Sequence, residues 1–315
     1  MTDNGGKTAL NRWQRVRLEC WWVLCRFVAI LPYFVQYYVL QEIMYVVLRV
    51  VRYRYGCITE NLSYSFPEKS RNEICTIRRR FYRHLAEMVI NTIVQARMTP
   101  GECRRRMKFV NHEEIASQLG DRPCIAFTSH FGCWEYYGFW GMWLPRHTLV
   151  AAYHKLHDPI ADELCRRLRC HPCEMPVAAP EALRFFVRHL RGYEGRNLVL
   201  GLVADQNPPR YAESRRYRFL NRDTLFFEGA GRLAVKYGLP VLYARQRKVR
   251  RGYYEAELEW VYDGETALEP HVITERYVGM LEKDIKQCPE LWIWSHRRWK
   301  QRRDVASRPN KDIKR

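Results

Sequence analysis

The amino-acid sequence predicts an α/β fold: a mixed, mainly parallel sheet flanked by helices, behind an N-terminal membrane-associated helix. Three features predict it. Short apolar runs around Cys124, Thr148, Leu198 and Val241 alternate with helical stretches, the pattern of strands joined by crossover helices. Ile74, Ile77, Phe81, Leu85 and Met88 recur at spacings of three or four, which marks a long amphipathic helix. From Trp21 to Val51 the chain is strongly apolar and aromatic.

In chain order, residues 1–17 read as a polar arm and 18–55 as the membrane-associated helical segment. Arg26, Pro32, Gln36, Gln41, Glu42 and Arg49 interrupt its apolar run. Two arrangements stay open, a bent or tilted membrane helix and an amphipathic helix lying in the interface, with a buried helix of a soluble protein as the third. The run is longer than a signal-peptide core and lacks a small-residue cleavage site. Arg12, Arg15 and Arg17 before it would place the N-terminus in the cytoplasm if it spans; Arg49, Arg52 and Arg54 after it weaken that signal. A catalytic domain is expected over 56–303 and a basic tail over 304–315.

Within the domain, Pro67 and Pro100-Gly101 bracket the helix at 69–98, and a shorter helix follows at 112–119. Residues 123–128 read as a buried strand, 131–144 as a packed helix, 147–153 as the next strand and 158–169 as a helix with a basic outer face. Another helix covers 180–191. The run Asn197 to Ala204 is continuously apolar, as in a strand buried on both faces, and Asp205-Gln206 stands at its C-terminal end. Arg210, Arg215, Arg216 and Arg218 cluster with Tyr211 and Tyr217 on an expected loop, suited to phosphate or an acidic partner. A helix over 225–237 stops at Gly238. Residues 241–246 form a strand, 245–252 a charged hairpin, 253–260 an antiparallel edge strand and 270–287 the closing helix.

Composition narrows the function classes. A net charge of +19 demands an anionic partner: nucleic acid, an anionic membrane surface or a phosphorylated lipid. The 14 % aromatic content tips this toward a lipid interface, because Trp and Tyr rings have one apolar and one wet side. Basic residues scattered over many elements, with no recognised nucleic-acid module, argue against nucleic acid. Eleven cysteines without regular spacing argue for a reducing compartment, and Cys165, Cys170, His171 and Cys173 lack the second pair that a metal site needs.

The stretch Thr128-Ser129-His130-Phe131-Gly132-Cys133-Trp134-Glu135 carries the chemistry. A hydroxyl cannot attack an ester or thioester unaided at neutral pH, and histidine, with an ordinary pKa of about 6.5, is the side chain suited to take its proton. His130 falls in the turn after a strand, and Glu135 is expected to accept from its other ring nitrogen. Five residues on an ideal helix is about 500°, so the two meet only if His130 lies outside the helix. Asp205, at a strand's C-terminal end where open α/β sheets bind ligands, is expected to hydrogen-bond the acceptor or to position the basic groups. Phe131, Trp134, Phe139 and Trp140 are candidate linings of an acyl groove, or ordinary core.

Ser-His-Phe-Gly-Cys-Trp-Glu resembles the His-x4-Asp/Glu motif of the lysophospholipid acyltransferase superfamily, in the form used by the bacterial lipid A late acyltransferases. The resemblance extends to Tyr53-Arg54, Asn61-Leu62 and Ser65-Phe66-Pro67-Glu68-Lys69 upstream, and to Asp205-Gln206, Phe219 to Asp223 and Trp292 to Lys300 downstream. It implies a glycerolipid acyltransferase-like fold and His-Glu general-base transfer of an acyl chain from acyl carrier protein to a hydroxyl of a lipid A precursor. The expected setting is the cytoplasmic side of the inner membrane, with no cofactor or metal. Tyr153-His154-Lys155-Leu156 stands where relatives have Tyr-Arg-Pro-Leu, so His154 replaces an arginine near the reacting centre. Lys155 is the substitute oxyanion donor, and Arg222 is a further candidate from the Phe-x-x-Arg turn. The alternatives are another acceptor lipid (lysophospholipid, aminolipid or inositol glycolipid) and, less expected, a basic protein that binds membrane or nucleic acid without catalysis.

Overall fold

The computed structural model describes residues 10–153, 155–169, 174–209 and 212–299. Nine strands occur among them: β1 (Met107–Phe109), β2 (Cys124–Thr128), β3 (His147–Tyr153), β4 (Glu174–Ala178), β5 (Asn197–Val203), β6 (Ser214–Phe219), β7 (Arg222–Phe227), β8 (Val241–Arg250) and β9 (Tyr253–Tyr262). Seven make one sheet in the order β1-β9-β8-β2-β5-β3-β4, while β6 and β7 pair separately. Within the large sheet only β8 and β9 run antiparallel. The mixed, mainly parallel sheet expected from the apolar runs is present.

The central strand shows why those runs lack alternation. All five residues of β2 are buried, with Ile125 and Phe127 entering the core on one face and Cys124 and Ala126 that on the other. The first face is covered by α3 (Tyr55–Ser65), α4 (Arg71–Val94), α9 (Gly229–Tyr237) and α10 (Pro270–Gln287), and the second by α6 (His112–Leu119) and a 3₁₀ segment, Trp134–Met142. Ser70 and Glu73 close a reciprocal cap at the start of α4, fixing where that long helix begins. The remaining helices are α1 (Arg12–Ile30), α2 (Gln41–Val50), α5 (Pro100–Arg106), α7 (Pro159–Leu168) and α8 (Ala179–Arg188).

Several expectations are corrected. Helix α1 begins at Arg12, inside the stretch read as an arm, with Asn11 and Gln14 as its capping pair. Residues 131–144 give a 3₁₀ segment in place of an α-helix. Of the arginine cluster expected on a loop, Arg215, Arg216 and Arg218 lie on β6, while Arg210 and Tyr211 fall outside the described residues; 222–227, partly read as helix, is the partner strand β7. Strand β8 continues through the charged residues to Arg250, and β9 is interior because the short β1 pairs with its far side. The tail at 304–315 lies outside the described residues.

No single described helix is long and apolar enough to cross a membrane; α1 and the helical stretch 35–50, which ends in α2, pass that test only as a pair bent by 113°. Pro32, which cannot donate a backbone hydrogen bond, follows the C-terminal cap of α1. The buried Gln36 amide donates to the carbonyls of Val28, Ala29 and Leu31, satisfying the end of α1 at the bend.

Candidate active site

Strands β2 and β5 are parallel neighbours, and Thr128 pairs with Val203 at their C-terminal ends. His130 and Asp205 each lie two residues beyond that pair, so the sheet register sets them side by side. Asp205 Oδ1 lies 2.7 Å from His130 Nδ1, and Oδ2 accepts from the His130 backbone N–H at 2.9 Å and from Trp292 Nε1 at 2.7 Å. Asp205 is fully buried, which pushes its pKa up, but the facing imidazole and these N–H donors outweigh burial and hold it below the ordinary carboxylate value. A carboxylate at Nδ1 requires the proton there, which leaves Nε2 as the lone pair. The Gln206 amide nitrogen lies 3.0 Å from Nε2 and acts as donor to it.

The turn carrying His130 is clamped from three sides. Gly132 adopts φ +67°, and a Cβ there would meet Gln246 Oε1 at 2.4 Å, so the position excludes a side chain both by conformation and by space. Gln246 of β8 accepts from Cys133 N at 2.6 Å and donates to Cys133 O at 2.9 Å. His84 of α4 donates from Nε2 to Gly132 O at 3.2 Å; burial pushes its pKa down to about 4, which keeps the ring neutral for that bond. Gly132 N donates to Leu291 O at 3.0 Å, next to Trp292, which holds Asp205.

Glu135 does not hold His130. Arg169, just past α7, grips its carboxylate through Nε at 2.6 Å and Nη2 at 2.7 Å, and Trp134 Nε1 donates to it at 3.0 Å. The Trp134 ring stands edge-on to His130 with centroids 5.2 Å apart. Both expected partners are thus engaged elsewhere, the histidine by Asp205 and the glutamate by a guanidinium fork. Glu174 of β4 completes this corner: burial, and then the Glu135 charge, push its pKa up to about 8 against the pull of Arg169. Burial also opposes the Arg169 charge, but Glu135 outweighs it.

His130, Glu135, Arg169 and Gln206 line a cavity of about 540 Å³ that runs over one face of the sheet. Its floor is made of small residues, Ala126, Ala151 and Gly201, with Leu149, and its roof is Tyr137, Gly138 and Trp140 of the 3₁₀ segment. The volume suits a ligand-sized apolar guest with a few polar anchors at one end.

The profile of the family described as bacterial lipid A biosynthesis acyltransferase matches residues 12–301. The chain belongs to this family. No curated protein matches it. Membership makes the chain an O-acyltransferase.

Set against this cavity, the sequence candidates divide. Trp134 and Trp140 line it, whereas Phe139 stacks on Tyr136 in the core and Phe131 bridges to Trp292. Lys155 is exposed between the lining residues Tyr153 and Leu156; His154 lies outside the described residues. Arg222 is buried away from the cavity lining, between the rings of Tyr64 and Trp299. The cavity residues not singled out from sequence are Gln206 as the partner of Nε2, and Arg169 and Glu174. For Gln206 the signal was present, since it follows Asp205 at the strand end; Arg169 and Glu174 gave none.

Proposed function

We propose that this acyltransferase moves an acyl chain from acyl carrier protein to a hydroxyl of a lipid A precursor, with His130 as general base and Asp205, in place of Glu135, as the carboxylate that orients it. The acceptor hydroxyl displaces the Gln206 amide from Nε2 and gives its proton to that nitrogen. Its oxygen attacks the thioester carbonyl, whose electron pair moves onto oxygen. Collapse of the tetrahedral oxyanion breaks the carbon–sulfur bond, and the departing thiolate takes the proton back from the imidazolium. Asp205 stabilises the imidazolium while it lasts. Lys155, at the cavity rim, is the candidate donor to the oxyanion.

The observation that carries this reading is the His130 Nδ1 to Asp205 contact of 2.7 Å beside a cavity with a floor of small apolar residues. The acyl chain occupies the small-residue floor, and Glu135 with Arg169 forms a charged wall beside it. Arg215 and Arg216, exposed on β6, offer a basic edge for the acidic carrier. The setting is the cytoplasmic face of the inner membrane, held through the N-terminal helices.

A matrix of donors and acceptors tests the proposal. Acyl chains on carrier protein and on coenzyme A are offered with a glucosamine disaccharide lipid precursor, a lysophospholipid, an aminolipid and an inositol glycolipid. Transfer from carrier protein to the disaccharide is expected to dominate. Preference for another acceptor would move the assignment to that lipid.

A further inference from the structure

Helices α1 and α2 turn their apolar residues the wrong way for a soluble protein. On α1 only Leu18 and Cys25 are buried, while Val16, Val23, Phe27 and Ile30 point away from the domain at helical spacing. Helix α2 repeats the arrangement: Gln41 and Tyr45 face inward, and Ile43, Val46, Val47 and Val50 face out, with Val50 75 % exposed. The outward stripe of α1 is flanked by exposed Arg15 and Arg26 on one side and Arg17 on the other; none of the three is in an ion pair among the described residues. Exposed Arg49 and Arg52 stand at the end of α2. Apolar stripes fringed by exposed arginines that form no ion pair among the described residues match a lipid leaflet with anionic headgroups.

We infer that the outward faces of α1 and α2 dock side-on into one leaflet of an anionic bilayer and do not cross it. A crossing would need one straight run through about 30 Å of hydrocarbon. Pro32 and the three carbonyl contacts of Gln36 instead build a 113° bend between the limbs. Each limb is also tied to the domain: Glu19 of α1 pairs with Arg167 of α7 at 2.9 Å, and Glu42 of α2 pairs with Arg251 at 2.8 Å. Straightening α1 into a span would strip Glu19 of its partner and bury it with Arg26. Because α7 is followed directly by Arg169, the cavity wall lies one helix away from the lipid surface, as an enzyme taking a lipid acceptor requires.

This deepens the membrane placement proposed above while using none of the acyl-transfer chemistry, so the two fail separately. The full chain is added to sealed phosphatidylcholine vesicles with or without phosphatidylglycerol, alongside Val23→Asp, Val46→Asp and Arg17→Gln/Arg26→Gln variants. Binding is expected to require phosphatidylglycerol and to weaken with salt. Each Asp variant should lose roughly tenfold in partitioning, the equivalent of one apolar side chain left in water, with the melting temperature unchanged. Protease added outside should remove an N-terminal tag from vesicle-bound protein, because both ends stay on one side. A protected tag would establish a span and overturn the inference. So would binding indifferent to all three variants, or a stable dimer that these variants dissolve, which would make the face a contact between two copies.

Discussion

Replacing Asp205 by Asn keeps shape and changes only which atoms accept. Three N–H groups converge on this buried carboxylate: His130 Nδ1 at Oδ1, and the His130 backbone and Trp292 Nε1 at Oδ2. An asparagine has one oxygen to offer. If it keeps the Oδ2 place, its NH₂ faces Nδ1, which must then become an acceptor, and the ring proton moves to Nε2, where it blocks the base. The opposite orientation turns the NH₂ toward two buried donors, at about 1–3 kcal/mol each. The wrong tautomer is therefore favoured by at least about 2 kcal/mol, and at about 1.4 kcal/mol per decade this leaves no more than a few per cent of the enzyme competent. Loss of the charge that steadies the imidazolium brings the total to roughly 10³–10⁴ in kcat, the range expected for a carboxylate that orients a catalytic histidine. Single-turnover transfer of a radiolabelled acyl chain measures it, with KM for the donor unchanged. An Asp205→Asn enzyme within tenfold of wild type would refute the assignment of Asp205 as the orienting group.

Removing the amide from Nε2 with Gln206→Ala should let water reach the base; the ratio of transfer to thioester hydrolysis, followed by product analysis, is expected to fall by up to about tenfold, the worth of one neutral hydrogen bond. Gly201→Leu places a Cβ 2.8 Å from Leu149 Cδ1 and fills the cavity floor, so kcat/KM for the longest donors should drop relative to shorter ones, at about 0.8 kcal/mol per methylene left outside; a donor chain-length series reads this. Glu174 titrates at about 8 in the folded chain against an ordinary 4.5. Between those values the folded state holds a proton that the unfolded state has lost, so this residue makes stability fall as pH rises from about 4.5 to about 8. Denaturant unfolding across that window should show Glu174→Gln gaining on wild type as pH rises; parallel curves would contradict it. Gly132→Ala is expected to cost about 1–3 kcal/mol in unfolding free energy and most of the activity, since it strains the left-handed turn and pushes Gln246 off Cys133.

Much of the frame was legible because a buried parallel strand must be apolar on both faces. Cys124 to Thr128, His147 to Tyr153 and Asn197 to Val203 announce themselves in this way, and the 3.6-residue period of α4 is equally plain. Strand β4 is half-exposed and contains Pro176, so it resembles a loop, and β6 turns charged residues to solvent along much of its length. The ends of β2 and β5 pointed to His130 and Asp205 separately. That they meet depends on β2 and β5 being neighbours, which strand order decides and local pattern does not. The partner of Glu135 comes from Arg169, beyond an intervening strand and helix, where nothing in the spacing marks it. The His-x4-Glu spacing suggested a direct pair where the fold builds two linked corners of one cavity.

The most direct test is to incubate a disaccharide lipid precursor with acyl-loaded carrier protein and either the wild-type enzyme or His130→Ala, reconstituted in anionic vesicles, and to weigh the lipid by mass spectrometry. The account predicts a gain of one acyl mass with wild type and none with His130→Ala of equal melting temperature. Equal gains with both proteins, or no gain with folded, vesicle-bound wild type, would contradict it.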